Sequence, residues 1–156
     1  VNSRKQLWKT HCYSPDNVSV PIIWNNLMND ALILEQDVVI RSYIPLRQRG
    51  TQVTGMPVTN EWRFFVCNKQ ILSGGFYWSN FEDLIPYPYK DLPSEATNLL
   101  CRIQTIVSSY CNFYVIDLAE TATGEWILIE LNAGEQAGPS CCDLNQLYSN
   151  LRDSII

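Results

Sequence analysis

Between Phe113 and Gly138 the chain reads FYVIDLAETATGEWILIELNAGEQAG: two apolar runs with acidic residues set inside them and a short polar stretch between. Thr123-Gly124 is turn chemistry, so the pattern predicts two antiparallel strands. Side chains alternate faces along a strand, so Glu130 and Asn132 share a face. Asp117, on the partner strand, reaches that face if the register allows. Two carboxylates and an amide oxygen form a hard-oxygen set suited to Mg²⁺. Acidic residues in strands also occur on the solvated face of a half-exposed sheet, and spacing alone leaves both arrangements open. The apolar flanks weigh against the solvated arrangement, because burying two carboxylates without a cation is costly.

The rest of the chain supplies the frame. Residues 18–36 carry Ile23, Leu27 and Ala31 at helical spacing behind Pro21, although Asn25, Asn26 and Asn29 are poor helix formers. Residues 37–46 (DVVIRSYIPL) predict a strand that Pro45 ends. Residues 47–59, with Arg47, Arg49, Gly50, Gly55 and Pro57, read as a loop. Residues 60–78 predict a hairpin turning at Asn68-Lys69, with Trp62, Phe64 and Val66 on one face and Glu61, Arg63, Phe65 and Cys67 on the other. Gly74-Gly75 predicts a bulge or a close approach. Arg63 stands among aromatics in a strand, a costly place for a charge without an anion; a cation–π contact or an ion pair with Glu61 or Glu130 is the alternative. Prolines 86, 88 and 93 make residues 79–93 an irregular connector. Residues 94–111 predict a helix capped by Ser94, with an apolar face of Ala96, Leu99, Leu100, Ile103, Ile106, Val107 and Tyr110. Residues 142–151 predict a short final helix capped by Asp143, burying Leu144, Leu147, Tyr148 and Leu151. In NAGEQAGPS, Gly134 and Gly138 permit unusual backbone angles, and Gln136 is a candidate ligand contact.

Composition narrows the class. At 156 residues, 46% hydrophobic and 17% charged, the chain is a globular domain's worth rather than a disordered segment. A net charge of −5 argues against nucleic-acid and anionic-membrane partners. No apolar run nears the roughly 18 residues that span a bilayer, and the polar, basic start is unlike a signal peptide. The six cysteines lack C-x-x-C spacing, which predicts reduced, mostly buried thiols in a cytoplasmic protein rather than disulfides or zinc. His11, the single histidine, has no partner for nucleophilic or base chemistry. Because the sequence begins with Val, it is expected to be a fragment or a processed form.

The Asp…Glu-x-Asn hairpin of Asp117, Glu130 and Asn132 resembles the metal-binding end of the ATP-grasp fold. VVIRSYIPL (Val38 to Leu46) resembles the strand entering the adenine-binding hinge, and NEWRFFV (Asn60 to Val66) resembles the strand with a phosphate-facing arginine. The subgroup it is most similar to is marked by two arginines and a lysine. The resemblance implies an α+β fold, a mainly antiparallel sheet backed by helices, with residues 1–156 as one ATP-grasp-type domain lacking an N-terminal substrate domain. It implies ATP and Mg²⁺ as cofactors, with Asp117, Glu130 and Asn132 as metal ligands. Arg63 and Arg41 become the catalytic pair, and Lys5, Arg41, Ser42, Tyr43, Ile44 and Arg63 the nucleotide contacts. Lys5 stands in for a lysine that related sequences place near Asn2 or upstream, and a solvated basic segment is its alternative; for Arg41 the alternative is a surface strand residue. The implied activity is a ligase that joins a small-molecule or peptide carboxylate to an amine or thiol through an acyl phosphate. A non-catalytic nucleotide-binding domain and a phosphotransferase are the competing readings.

Overall fold

The structure, a computed structural model, describes residues 42–155 together with Asn29. The chain forms two compact units, Val1–Ile44 with Thr51–Met56, and Pro45–Gly50 with Pro57–Ile156. In the first unit, Ser42, Tyr43 and Ile44 are exposed and adopt neither helix nor strand. Its other described part turns at Gly55, whose φ of +80° suits a residue without Cβ.

The second unit is built on a four-stranded antiparallel sheet. Strands β1 (Gln48–Thr51) and β2 (Pro57–Thr59) form a small separate ladder. Then come β3 (Glu61–Cys67), β4 (Gln70–Phe76), helix α1 (Ser94–Val107), β5 (Phe113–Glu120), β6 (Trp126–Ala133) and helix α2 (Leu144–Ile155). The strand order is β4-β3-β5-β6. The β3–β4 turn is made by Asn68 and Lys69, at φ 46° and 66°. Two successive left-handed residues are what a two-residue hairpin matching strand twist requires.

Period-two alternation divides the sheet into two apolar faces. On one, Trp62, Phe64 and Tyr114 meet α1 and the connector. Trp62 stacks on Tyr87 with ring centroids 5.5 Å apart, and the Tyr114 hydroxyl donates to the Gln104 carbonyl at 3.2 Å. On the other, Phe65, Cys67 and Val115 cluster with Leu72, Cys142 and Leu147, so α2 covers that side. Each large side chain fully buried in this way is worth roughly 1.5–3 kcal/mol. Two glycines permit the close packing. A Cβ on Gly74 would come within 2.8 Å of the Phe64 and Tyr89 rings, and one on Gly75 within 2.5 Å of backbone atoms of Cys141 and Cys142.

Several expectations are corrected. Residues 42–45 form no strand; Pro45 has no N–H for a ladder, its carbonyl accepts from the Ala122 N–H at 2.8 Å, and Leu46 makes a single bridge to Thr121. The 47–59 loop contains β1 and β2. The β3–β4 bulge lies at Leu72, opposite the Phe65/Val66 step, and not at the glycine pair. Helix α1 starts at Ser94 itself, with Pro93 at the capping position and no side-chain cap. Ile106 and Tyr110 are exposed, as are Leu144 and Tyr148 on α2. In the loop after β6 the left-handed residue is Ser140, not Gly134 or Gly138. Among the described cysteines all are free, but Cys101 and Cys111 are exposed rather than buried. The 18–36 helix and the rest of the 37–46 strand lie outside the described residues.

Candidate functional site

Three strands place three charged side chains in one cross-strand row. β3 and β5 pair Arg63 with Asp117, and β5 and β6 pair Asp117 with Glu130. Directly opposed residues project to the same face, here the face carrying Phe65 and Val115. Asn132 pairs with Val115, so its side chain leaves the same face two positions along from Glu130. The β5–β6 register reaches this arrangement through a bulge. Leu118 pairs with Leu128 and Asp117 with Glu130, so Ile129 is passed over. Trp126 and Leu128 therefore face the α1 side, whereas Glu130 and Asn132 face the other.

Arg63 is the hub of the row. Its Nε donates to Asp117 Oδ1 at 2.9 Å and its Nη2 to Asp117 Oδ2 at 2.7 Å, a bidentate pair. Nη1 donates to the Gly138 carbonyl at 2.8 Å. Glu130 Oε1 stands 3.8 Å from Nη2, and the guanidinium lies 4.7 Å from the centroid of the Tyr77 ring. The partners left open in the sequence are thus resolved: Asp117 takes both bonds, Glu130 is a longer-range neighbour, and Tyr77 provides the cation–π contact. Glu61 instead accepts from the Thr59 hydroxyl at 3.1 Å.

The electrostatics are those of a pair of acids sharing one base. Asp117 is fully buried, whereas the Glu130 side chain keeps 17% of its exposure. Burial pushes the Asp117 carboxyl up to about 6; Arg63 pulls it down, and neighbouring Glu130 raises it further. For Arg63, burial alone would lower the pKa, but the hydrogen bond and charge of Asp117 overcome this and hold it above the ordinary value. One guanidinium against two carboxylates leaves a residual negative charge, which a cation would relieve. Behind the row, burial pushes the Cys142 thiol up to about 12, so it is a protonated packing group and not a nucleophile.

A second cluster lies at the start of β3. Glu120 Oε1 meets Arg47 Nε at 2.7 Å, Glu120 Oε2 accepts from Asn60 Nδ2 at 2.8 Å, and Trp62 Nε1 donates to Asn60 Oδ1 at 2.9 Å. This network ties the segment before β1 to the ends of β3 and β5. Sequence reasoning missed it, along with Tyr77 and the Gly138 carbonyl as partners of Arg63. Gly75 was the available signal for the last of these, since only glycine there admits the loop that follows Gly138.

Residues 1–151 match a family model described as an ATP-grasp domain, the third family of its clade. The chain belongs to the ATP-grasp family. Its α+β architecture, with antiparallel sheets and helices, is consistent with an ATP-grasp domain. A solved structure of the macrocyclase MdnB from Microcystis aeruginosa MRC is 19% identical; the likeness covers 90% of this chain and 41% of that one, at a TM-score of 0.39. The ATP-grasp chain thus spans less than half the length of that protein, and its assignment rests on the family model. No curated protein matches it.

ATP-grasp domains bind ATP, generally with Mg²⁺, and membership supports a function of the carboxylate–amine ligase kind. The donor set fits the metal. Among the described residues no three His, Cys, Asp or Glu side chains converge, but two adjacent carboxylates and an amide on one face are hard-oxygen donors of the kind Mg²⁺ takes. Of the nucleotide contacts implied by the sequence, Lys5 and Arg41 lie outside the described residues. Ser42, Tyr43 and Ile44 belong to the first unit, and Arg63 to the second. Among the described residues no helix is long and apolar enough to cross a membrane.

Proposed function

We propose that this chain is the nucleotide- and metal-binding part of an ATP-dependent ligase that joins a carboxylate to an amine or thiol. The observation that carries the reading is the Arg63–Asp117–Glu130 row, which puts a phosphate-binding cation beside paired metal-binding oxygens. In this reading the carboxylate of a small molecule or peptide attacks the γ-phosphate of ATP, giving an acyl phosphate and ADP. The amine or thiol then displaces phosphate and leaves an amide or thioester bond. Such transfer depends on positioning and charge stabilisation more than on covalent chemistry by the protein. Asp117, Glu130 and Asn132 hold Mg²⁺, which supplies charge neutralisation at the phosphates. Arg63 stabilises charge on the transferring group, supported by Arg41 and Lys5; these two arginines and one lysine are the subgroup's signature. Ser42, Tyr43 and Ile44 meet the adenine. We take residues 1–156 as a single ATP-grasp-type module, acting in the cytoplasm without nucleic-acid or membrane partners.

A second reading, nucleotide binding without catalysis, is favoured by one observation: the Arg63 donors engage Asp117 and Gly138. Titration calorimetry with ADP or a non-hydrolysable ATP analogue, with and without Mg²⁺, tests the binding common to both. ADP release across panels of acids and amines then separates them. Mg²⁺-dependent binding with acid-dependent ADP release is the expected outcome. Binding without release supports the second reading, and no binding at all removes both.

A further inference from the structure

The row sets two proposed roles against each other. Arg63 directs Nε and Nη2 at the two oxygens of Asp117, at 2.9 and 2.7 Å, and Nη1 at Gly138. A guanidinium bound in this way has few donors left for phosphate. Asp117 is fully buried, with both oxygens engaged. Mg²⁺ demands oxygen ligands at roughly 2.0–2.1 Å in near-octahedral geometry, which the forked guanidinium obstructs at both Asp117 oxygens. Glu130 is the open side: its carboxylate lies 3.8 Å from Nη2, beyond hydrogen-bond reach, and its side chain is 17% exposed. Two contacts would keep Arg63 at hand once its fork leaves Asp117, the Tyr77 ring face at 4.7 Å and the Gly138 carbonyl at 2.8 Å.

We propose that Arg63 is the resident counter-ion of the Asp117–Glu130 pair in the metal-free chain. It exchanges with the divalent cation there, turning its fork on the Tyr77 and Gly138 contacts toward the nucleotide's phosphate oxygens. This rests on the metal reading above and adds an order to it. Metal alone competes with Arg63 and binds weakly. Metal with nucleotide binds strongly, because the displaced guanidinium gains a new anion; the two ligands are coupled through one side chain.

The test is Mn²⁺ affinity by paramagnetic resonance or calorimetry, in wild type and Arg63→Gln, with and without ADP. Without ADP, Arg63→Gln is expected to bind Mn²⁺ more tightly than wild type, on the order of tenfold, because the competing cation is gone. With ADP, the tightening seen in wild type shrinks in the variant, and ADP affinity falls. A variant that binds Mn²⁺ no more tightly than wild type without ADP overturns the inference while leaving the metal assignment standing. Failure of wild type to bind Mn²⁺ in either condition removes the metal assignment and the inference together. Should Arg63→Gln not fold, Arg63→Lys, a single-point donor, is expected to bind Mn²⁺ more tightly than wild type. The ¹⁵N-labelled wild type adds an independent readout: the Arg63 Nε–H resonance is expected to shift and lose its protection from solvent exchange when Mg²⁺ saturates the site. An unmoved resonance at saturation also overturns the exchange.

Discussion

Glu130 and Asp117 occupy one row but differ in what surrounds them, and their substitutions should differ accordingly. Glu130 is partly exposed and carries no close hydrogen bond to Arg63, so Glu130→Gln is expected to abolish Mg²⁺-dependent nucleotide binding or turnover while leaving the melting temperature nearly unchanged. Unaltered Mg-nucleotide affinity in that variant would remove Glu130 from the metal set. Asp117 is fully buried, and its carboxyl titrates near 6 rather than at an ordinary 3.8. A folded-state pKa above the unfolded one gives stability that is present below about 3.8 and lost as pH rises through about 6. In chelator, wild type should therefore lose stability relative to Asp117→Asn between pH 4 and about 6.5, as read by denaturant midpoints at each pH. A flat difference across that window would contradict the shift. Which residue types mattered here was legible in the sequence: an arginine among aromatics and acids inside apolar runs both signal a buried charge awaiting a partner. Who pairs with whom was not legible, because Asp117, Glu130 and Glu61 are all acceptors near Arg63, and register alone decides among them.

Hairpins and helices were readable to the extent that turn chemistry marked them. Asn68-Lys69 and Thr123-Gly124 lie where strands reverse, and Asp143 does cap α2, accepting from the Gln146 N–H at 3.1 Å. Asp143→Ala should cost about 1 kcal/mol of unfolding free energy, and a loss within error would deny the cap any weight. Lys69 sits at φ 66° with a Cβ that disfavours it. Lys69→Gly is expected to stabilise the β3–β4 hairpin by up to about 1 kcal/mol, measurable as a raised denaturant midpoint. The bulges were not readable. Alternation counted from Trp126 puts Glu130 on the α1 side, away from Asp117, and only the passed-over Ile129 reverses that phase. The helix faces were overdrawn for a related reason. Helical spacing names every apolar residue on a stripe, but the sheet ends before Ile106 and Tyr110, so those two remain in solvent.

Across the whole described chain, the sheet is the middle layer and its two faces have different work. The α1 side is aromatic packing. The α2 side is apolar at the Phe65–Val115 end and charged one row further on, with the Gly138–Cys142 loop pressed against Gly75. Gly75→Ala would drive a Cβ into the backbone of Cys141 and Cys142, so a loss of roughly 1–3 kcal/mol is expected by chemical denaturation. Native-state alkylation followed by mass spectrometry should modify Cys101 and Cys111 and spare Cys67 and Cys142 until the chain unfolds; early labelling of Cys142 would mean that this loop opens freely. The α+β class was legible because strand and helix periods differ over long stretches. The short β1–β2 ladder was not, since it spans too few residues for any period to register. The passed-over Ile129 also bears on how the family's sequences are free to vary. A one-residue deletion between Trp126 and Ile129 can straighten the ladder and still leave two acids facing each other, whereas the same deletion between Glu130 and Asn132 cannot. Length polymorphism should therefore gather on the turn-proximal half of this hairpin and stop at the acid.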